Sequence, residues 1–346
     1  MVATAKQIPF DHRQSSHCES GVASNLLQYH GHTISEAMAF GIGEGLFFVY
    51  LPFIKVNALP LTAFRCEGGG ILKRVTRRMG CRLKWRTFRD PSRAMDELDR
   101  KLDEGTPVGC RTGGYWLPYF PPAFRIHFNL HNIVVYGRRG DDYLISDPVF
   151  PEPVVCPRKD LIKARFAKGA LAPRGTMYYM ASNSSEFDQT RAIRKGIRGT
   201  CRKMLQTPGP IAGVGGIRFL ARRVENWPRR LGERRARQCL GQLIRMQEEI
   251  GTGGGGFRFM YAAFLQEAGD RLRAPRLDEI SNELTAVGDR WRDFALLGAR
   301  VCKGKAAADE SYPALATLLR DCAAGEEKVF RSLRAFERET PLQAPN

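Results

Sequence analysis

The pattern of the chain changes once, near residue 184, and this change limits the folds that its 346 residues can adopt. Before that point, segments such as HNIVVYG (131–137) and YLISDP (143–148) predict strands, interspersed with helices. Beyond it, only helical periodicity remains, over residues 186–205, 215–226, 229–249, 257–272, 276–299 and 312–337. We therefore predict an α+β domain over residues 1–183 and an all-helical domain, Arg-rich at its start, over residues 184–346.

A predicted helix over residues 19–30 begins immediately after Cys18 and ends at Gly31. A thiol at this position faces unpaired backbone N–H groups and the positive end of the helix dipole. Both stabilise the thiolate, which is the reactive form of cysteine. The same N–H groups can receive an oxyanion. Taken alone, the position is more typical of a small structural cysteine than of a nucleophile.

His131 and Asp147 lie on the two strands of a predicted hairpin whose turn is RRGDD. If this turn centres on Gly140, Asp147 is opposite Ile133 and is the diagonal neighbour of His131, roughly 7–8 Å away. A carboxylate there fixes the imidazole tautomer and leaves the other ring nitrogen for the thiol proton. The chain order Cys, His, Asp, with the nucleophile on an early helix and the base on a later sheet, predicts a papain-like catalytic domain.

Two further residues are weaker candidates for the same site. His127 is an alternative base, because it points to the same face as His131 if the strand extends that far. Gln14, four residues before Cys18, is a candidate oxyanion donor, although Ser15, Ser16 or backbone N–H groups fit this role as well.

The formal net charge of +18 is concentrated between residues 191 and 237, where 14 Lys and Arg residues face two acids. Such a field favours an acidic partner: nucleic acid, an anionic membrane or an acidic carrier protein. A solvated helical surface explains it too. Aromatic residues that stack on bases are sparse there apart from Trp227, so nucleic-acid binding is the least favoured function.

Several features bear on location and cofactors. Met1 to Gln14 has no apolar signal-peptide core, and the most apolar window, Ala37 to Ile54, is interrupted by glycines, a glutamate and a proline. The nine cysteines show no CxxC spacing or zinc pattern. We therefore predict a cytoplasmic protein with reduced thiols, no membrane span, no metal and no bound cofactor. The run Gly251–Gly256 precedes a predicted helix; it lets the backbone approach a phosphate, or is simply a loop.

Four segments together resemble the family of butirosin biosynthesis protein H. They are HCESGVASNLLQYHGHTISEAMAFGIGEGLFF, GGYWLPYF, HFNLHNIVVYGRRGDDYLISDP and, in the helical half, EEIGTGGGGFRFMYAAFLQEA. The last resembles a domain of unassigned function that follows the catalytic domain in that family. The order and spacing of the four segments, which span most of the chain, are more specific than any one motif.

The resemblance implies a papain-like cysteine acyltransferase of specialised metabolism. Such an enzyme moves an acyl group from the phosphopantetheine thioester of an acyl carrier protein to the amine of a small molecule. By motif position, Cys18, His131 and Asp147 inherit the triad roles. The basic stretch, in particular Arg222, Arg223, Arg229 and Arg230, is then the expected docking surface for the acidic carrier. A cysteine peptidase or amidase with the same triad is the alternative, since water can replace the amine.

Overall fold

The computed structural model describes residues 6–56, 58–122, 125–182 and 187–339. The strands in chain order are β1 (Lys6–Gln7), β2 (Leu46–Val56), β3 (Leu59–Arg65), β4 (Arg82–Arg86), β5 (Val108–Thr112), β6 (His131–Arg139), β7 (Asp142–Ser146), β8 (Val154–Pro157) and β9 (Met177–Ser182). The helices of the first half are α1 (Cys18–Tyr29), α2 (Glu36–Ile42), α3 (Gly70–Arg78), α4 (Pro91–Asp103) and α5 (Arg158–Arg165). Those of the second half are α6 (Gln189–Gln206), α7 (Gly213–Glu225), α8 (Trp227–Leu231), α9 (Glu233–Glu248), α10 (Arg258–Leu272), α11 (Arg276–Cys302) and α12 (Tyr312–Glu339).

The chain divides into two compact units, residues 1–39 with 71–187 and residues 40–70 with 188–346. The predicted boundary at residues 183 and 184 lies outside the described residues. The predicted α+β class is correct, with the larger sheet in the first unit and only helices described after residue 188. Residues 40–70, which the sequence analysis placed in the first domain, are grouped with the C-terminal helices.

The first unit is built on an antiparallel sheet with the strand order β4-β9-β5-β6-β7-β8, and β1 pairs with the far end of β6. One face of this sheet carries the apolar core. Alternate residues of β6, Ile133 and Val135, pack there with the apolar stripe of α4, Met95, Leu98 and Leu102. Asp90 caps α4 by accepting the Arg93 N–H, and Gly105 follows the helix with a φ of 75°.

Helix α1 contacts β6, and all its residues from Cys18 to Leu27 are buried. Even its polar side chains Ser20, Ser24 and Asn25 are shielded from solvent. The Ser24 hydroxyl and the Asn25 Nδ2 group donate to the carbonyls of Ile34 and Arg13. Because α1 is buried along most of its length, Cys18 at its first position is held in a fixed place.

The second unit combines the C-terminal helices with a hairpin, β2–β3, for which the sequence analysis predicted no strands. Phe48 and Phe64 of this hairpin flank the indole ring of Trp291 on α11, with ring centroids 6.0 and 5.3 Å away. The helices enclose a fully buried ion pair in which Arg258 binds Glu326 through two nitrogens, at 2.9 and 3.0 Å. Trp291 donates its indole N–H to the same carboxylate at 2.7 Å.

The apolar window from Ala37 to Ile54 forms α2 and part of β2. In the part of the chain that the structure describes, no helix has both the length and the apolar character needed to cross a bilayer.

Candidate active site

The entry to α1 is held by a carboxylate. Glu36 accepts the backbone N–H groups of Ser16 and His17, at 2.9 and 2.7 Å, and the Ser20 hydroxyl at 3.1 Å. Burial raises the pKa of Glu36, and these hydrogen bonds oppose the rise. The N–H of Cys18 comes next, at the first position of the helix, where a backbone N–H has no acceptor within the helix.

The start of α1 is also tied to the loop that follows β7. The Ser15 N–H donates to the carbonyl of Pro148 at 2.6 Å. Gly21 allows the close approach, because a Cβ there would lie 2.6 Å from the Cβ of Ser15 and 2.8 Å from that of Pro148. The thiol of Cys18 and the carboxylate of Asp147 therefore sit on segments that are directly anchored to each other.

The β6–β7 hairpin brings His131 and Asp147 together. Near the turn, Arg139 pairs with Asp142, but a bulge between Val135 and Gly137 shifts the register by one residue. Beyond the bulge, Val134 faces Ser146, which is the register expected from the sequence. His131 Nε2 and Asp147 Oδ2 are 2.7 Å apart.

The carboxylate of Asp147 is fully buried and is satisfied on both oxygens. Besides the His131 ring, it accepts the Tyr119 hydroxyl at 2.9 Å and the Val149 N–H at 3.2 Å. Burial first, and then the neighbouring Asp147 charge, raise the pKa of Tyr119 well above its usual range, so Tyr119 acts as a donor. The ring of Phe120 packs edge-on against His131, with centroids 5.3 Å apart. The imidazole is thus held in one orientation.

The electrostatics of this pair favour a protonated imidazole. Burial lowers the pKa of His131, but the charge and hydrogen bond of Asp147, together with the contact to Cys18, outweigh it and raise this pKa to about 10. Because Nε2 binds Asp147, Nδ1 is the ring nitrogen left for the Cys18 thiol. Asp147 is hydrogen-bonded to His131, and Cys18 is close enough to the ring to help raise its pKa, while the Cys18 sulfur itself lies 3.8 Å from the Leu130 carbonyl oxygen.

Asn132 is a member of this site that the sequence analysis missed. Its Nδ2 lies 3.8 Å from the Cys18 sulfur and donates to the carbonyl of Leu130 at 2.9 Å. The Tyr178 hydroxyl donates to its Oδ1 at 2.9 Å, which fixes the amide orientation. Because Asn132 follows His131 on β6, its side chain leaves the opposite face of the strand. Only the position of Cys18 beside the start of that strand brings both side chains to the sulfur.

The two weaker candidates, His127 and Gln14, are both exposed. His127 is exposed and stacks on Tyr115 with ring centroids 4.1 Å apart. Because β6 begins only at His131, the premise that the strand reaches His127 is wrong. Gln14 is exposed in the segment before α1, so burial does not support its predicted role as an oxyanion donor.

The four arginines predicted to form the docking surface for the carrier belong to the second unit. Arg222 and Arg223 are in the last turn of α7, and their guanidinium groups both lie 5.9 Å from the Phe219 ring. Arg229 and Arg230 are exposed on α8. Trp227, the aromatic residue considered for base stacking, is only 3% exposed.

The Gly251–Gly256 run forms a loop with positive φ angles at Gly251 and at each glycine from Gly253 to Gly256. Two of its backbone N–H groups bind side chains of the protein: Gly254 donates to Thr252 Oγ1 and Gly255 to Glu248 Oε1, both at 3.1 Å. These two N–H groups are therefore not available to a phosphate. Within the described ranges, no group of three or more His, Cys, Asp or Glu residues is arranged to hold a metal ion.

Comparisons with known proteins divide the chain in a similar way. Residues 17–148 match the family model of the N-terminal domain of butirosin biosynthesis protein H. Residues 159–333 match a domain of unknown function, DUF4872. A crystal structure described as a C39-like peptidase from Bacillus anthracis is 17% identical, with a TM-score of 0.37, and the match covers 52% of this chain and 99% of that one. No curated protein matches the chain significantly.

Proposed function

Because the chain belongs to the family of butirosin biosynthesis protein H, with its N-terminal domain and DUF4872, we propose that it is a cysteine-dependent acyltransferase. In this proposal, an acyl group passes from the thioester of an acyl carrier protein to Cys18 and then to the amine of a small molecule. The observation that carries it is the hydrogen bond between His131 and the buried Asp147, together with the position of Cys18 against Leu130 and Asn132, the residues on either side of His131. The broader class, a papain-like cysteine enzyme, has support from both the family and this geometry.

In the first step, the Cys18 sulfur attacks the carbonyl carbon of the thioester. The raised pKa of His131 keeps a proton on its ring at neutral pH, so the ring supplies that proton to the departing carrier thiol. A C–S bond to Cys18 forms, the C–S bond to the carrier breaks, and His131 is left neutral. Asp147 holds the ring in place throughout.

The oxyanion that forms during this attack needs hydrogen-bond donors close to the sulfur. The Cys18 N–H has no acceptor within α1, and the Asn132 side-chain amide lies 3.8 Å from Sγ. We assign both to the oxyanion in place of Gln14. Removing one oxyanion donor should lower turnover by about 10²–10³-fold, the effect found for a serine protease.

In the second step, neutral His131 takes a proton from the incoming amine while its nitrogen attacks the acyl-enzyme carbonyl. An amide bond forms, and the sulfur of Cys18 leaves as the thiolate, which restores the starting state. If water replaces the amine, the same residues give a free acid. Transfer and hydrolysis therefore differ only in the second substrate.

The experiment that tests the proposal is product analysis. The protein is incubated with an acyl-N-acetylcysteamine thioester and a panel of amines, and amide and acid are quantified by mass spectrometry. Amide that depends on both the amine and Cys18 supports acyl transfer. Free acid alone, formed at the same rate with and without amine, would instead establish the hydrolase alternative.

Arg222 and Arg223 of α7 and Arg229 and Arg230 of α8 are proposed as the docking surface for the carrier, since carriers are typically acidic. Arg229→Glu with Arg230→Glu should raise the KM for a carrier-bound donor and leave a small thioester unaffected. The matched control is Arg276→Glu with Arg290→Glu, which reverses two exposed charges elsewhere in the same unit. Equal loss of activity on both donors, or an equal effect of the control, would refute the docking role.

A further inference from the structure

Arg111 on β5 is a cation in the catalytic unit that the proposed reaction does not use. Its Nε and Nη2 atoms are shielded from solvent and have no hydrogen-bond acceptor in the described part of the chain. The residue as a whole is half-buried. Unmet donors on a buried charge cost more than those on a neutral group. The two unpaired donors of Arg111 therefore carry an energetic cost that the contacts of the described residues do not offset.

The strand register places Arg111 beside the nucleophile. Arg111 on β5 is the direct partner of Asn132 on β6, so their side chains leave the same face of the sheet. Asn132 in turn contacts the sulfur of Cys18. Opposite residues of an antiparallel pair are about 4.5–5.5 Å apart, so the backbone of Arg111 is one strand away from that of Asn132. Its guanidinium extends from there towards Trp85 on β4, beyond β9 on the other side of β5.

An aromatic stack sets the position of the guanidinium. Arg111 lies 5.2 Å from the ring centroid of Trp85, and Trp85 stacks on Tyr178 at 4.9 Å. Tyr178 is the residue that holds Asn132. Lys73 adds a second positive charge, 4.5 Å from the Trp85 centroid. The cation–π contact holds the guanidinium near the ring but gives its N–H groups no acceptor.

The acidic group near this stack is Glu19, which follows the nucleophile in α1. Its carboxylate accepts the N–H groups of Ile71 and Leu72 at the start of α3, at 2.9 and 3.2 Å. Burial first, and then the Glu19 charge, raise the pKa of Tyr178, while Arg111 lowers it. Both charges thus lie near the Tyr178 hydroxyl, yet no hydrogen bond joins Glu19 to the two shielded nitrogens of Arg111.

We infer that Arg111 is a specificity-determining residue that binds a carboxylate on the acyl group carried to Cys18. A guanidinium with two N–H groups lacking acceptors matches the two oxygens of a carboxylate. An acyl group attached to Cys18 that runs along the sheet face past Asn132 brings its far end to Arg111. The inference rests on the proposed acyl transfer for its biological setting, but not for its test.

The test compares two alkylating probes of equal length, N-iodoacetyl-β-alanine and N-iodoacetyl-β-alaninamide. They react with Cys18 by displacing iodide and differ only in a carboxylate against a carboxamide. Intact-protein mass spectrometry gives both rates for wild type, Arg111→Gln and Arg111→Lys. Arg138→Gln is the matched control, because it removes one positive charge from β6 that pairs with Asp103 at 3.0 Å.

Wild type and Arg138→Gln should prefer the carboxylate probe by about 10- to 100-fold, the size of a charged hydrogen-bond interaction. Arg111→Gln should react with both probes at similar rates, and Arg111→Lys should keep part of the preference. An unchanged rate of Arg111→Gln with the carboxamide probe shows that the site is intact. A preference that persists in Arg111→Gln, its absence in wild type, or no reaction of Cys18 with either probe would overturn the inference.

A second arm separates this inference from the proposed function. Glutaryl- and glutaramyl-N-acetylcysteamine are used as acyl donors with the same variants. A carboxylate preference in alkylation, without acylation by either thioester, would leave Arg111 as an anion-binding residue and refute acyl transfer. Acylation by both thioesters at equal rates in wild type would refute the role of Arg111 and keep acyl transfer.

Discussion

Replacing Asp147 with asparagine should leave most His131 rings unprotonated at pH 7. Asp147 is fully buried, and its charge is the main reason that the pKa of His131 is raised to about 10. Asparagine keeps the size of the side chain but removes the charge, and burial then lowers the pKa of the ring towards or below its ordinary value of about 6.5. At pH 7 the protonated fraction should fall from nearly all molecules to about a quarter or less.

This loss should lower the rate of Cys18 acylation by about 10²–10⁴-fold, because the leaving thiol loses its proton donor and the ring loses its orienting partner. Acylation by an N-acetylcysteamine thioester is followed by intact-protein mass spectrometry, and the His131 pKa is measured by NMR on histidine-labelled protein. Asp141→Asn, in the exposed turn of the same hairpin, is the control. An Asp147→Asn protein with wild-type rate and a His131 pKa still near 10 would refute the reasoning.

Three further outcomes are expected. Arg258→Leu should lower the free energy of unfolding by about 3–5 kcal/mol in urea titrations, because it leaves the buried Glu326 carboxylate without its partner; a loss below 1 kcal/mol would contradict this. Gly109→Ala should cost about 1–3 kcal/mol in thermal unfolding, because the added Cβ would lie 1.9 Å from a ring carbon of Tyr178. The stabilisation from protonated His131 should be complete below pH 6.5 and be lost as pH rises to about 10, since its pKa is higher in the folded state; a His131→Gln protein that loses stability equally over this range would disprove it.

The parts of the fold that the sequence predicts well are those with local signals. Helix α4 has Asp90 and Pro91 at its start and Gly105 after its end, and the structure places it at residues 91–103. The β6–β7 hairpin has alternating apolar residues and a Gly-Asp turn, so its register predicts the neighbours His131 and Asp147. The bulge near Tyr136 could not be predicted, yet it restores the expected register beyond it.

The features that the sequence did not reveal depend on contacts between distant segments. The β2 strand has buried residues at alternate positions only from Leu46 to Tyr50, and its packing partner Trp291 lies far along the chain. Asn132 faces away from His131 on the strand, so only the position of α1 brings it to Cys18. Sequence distance from Cys18 makes Gln14 a candidate oxyanion donor, but no local rule fixes the path of the segment before a helix, so this role stays a prediction.

The central claim is that Cys18 becomes acylated by a carrier-bound thioester. Wild-type and Cys18→Ala proteins are mixed with acyl-loaded carrier proteins, without acceptor, and their intact masses are measured. A mass increase equal to the acyl group in wild type, absent from Cys18→Ala, is the predicted result. The absence of any increase across a broad panel of carriers, with Cys18 unreactive towards iodoacetamide, would mean that the cysteine is structural and would contradict the account.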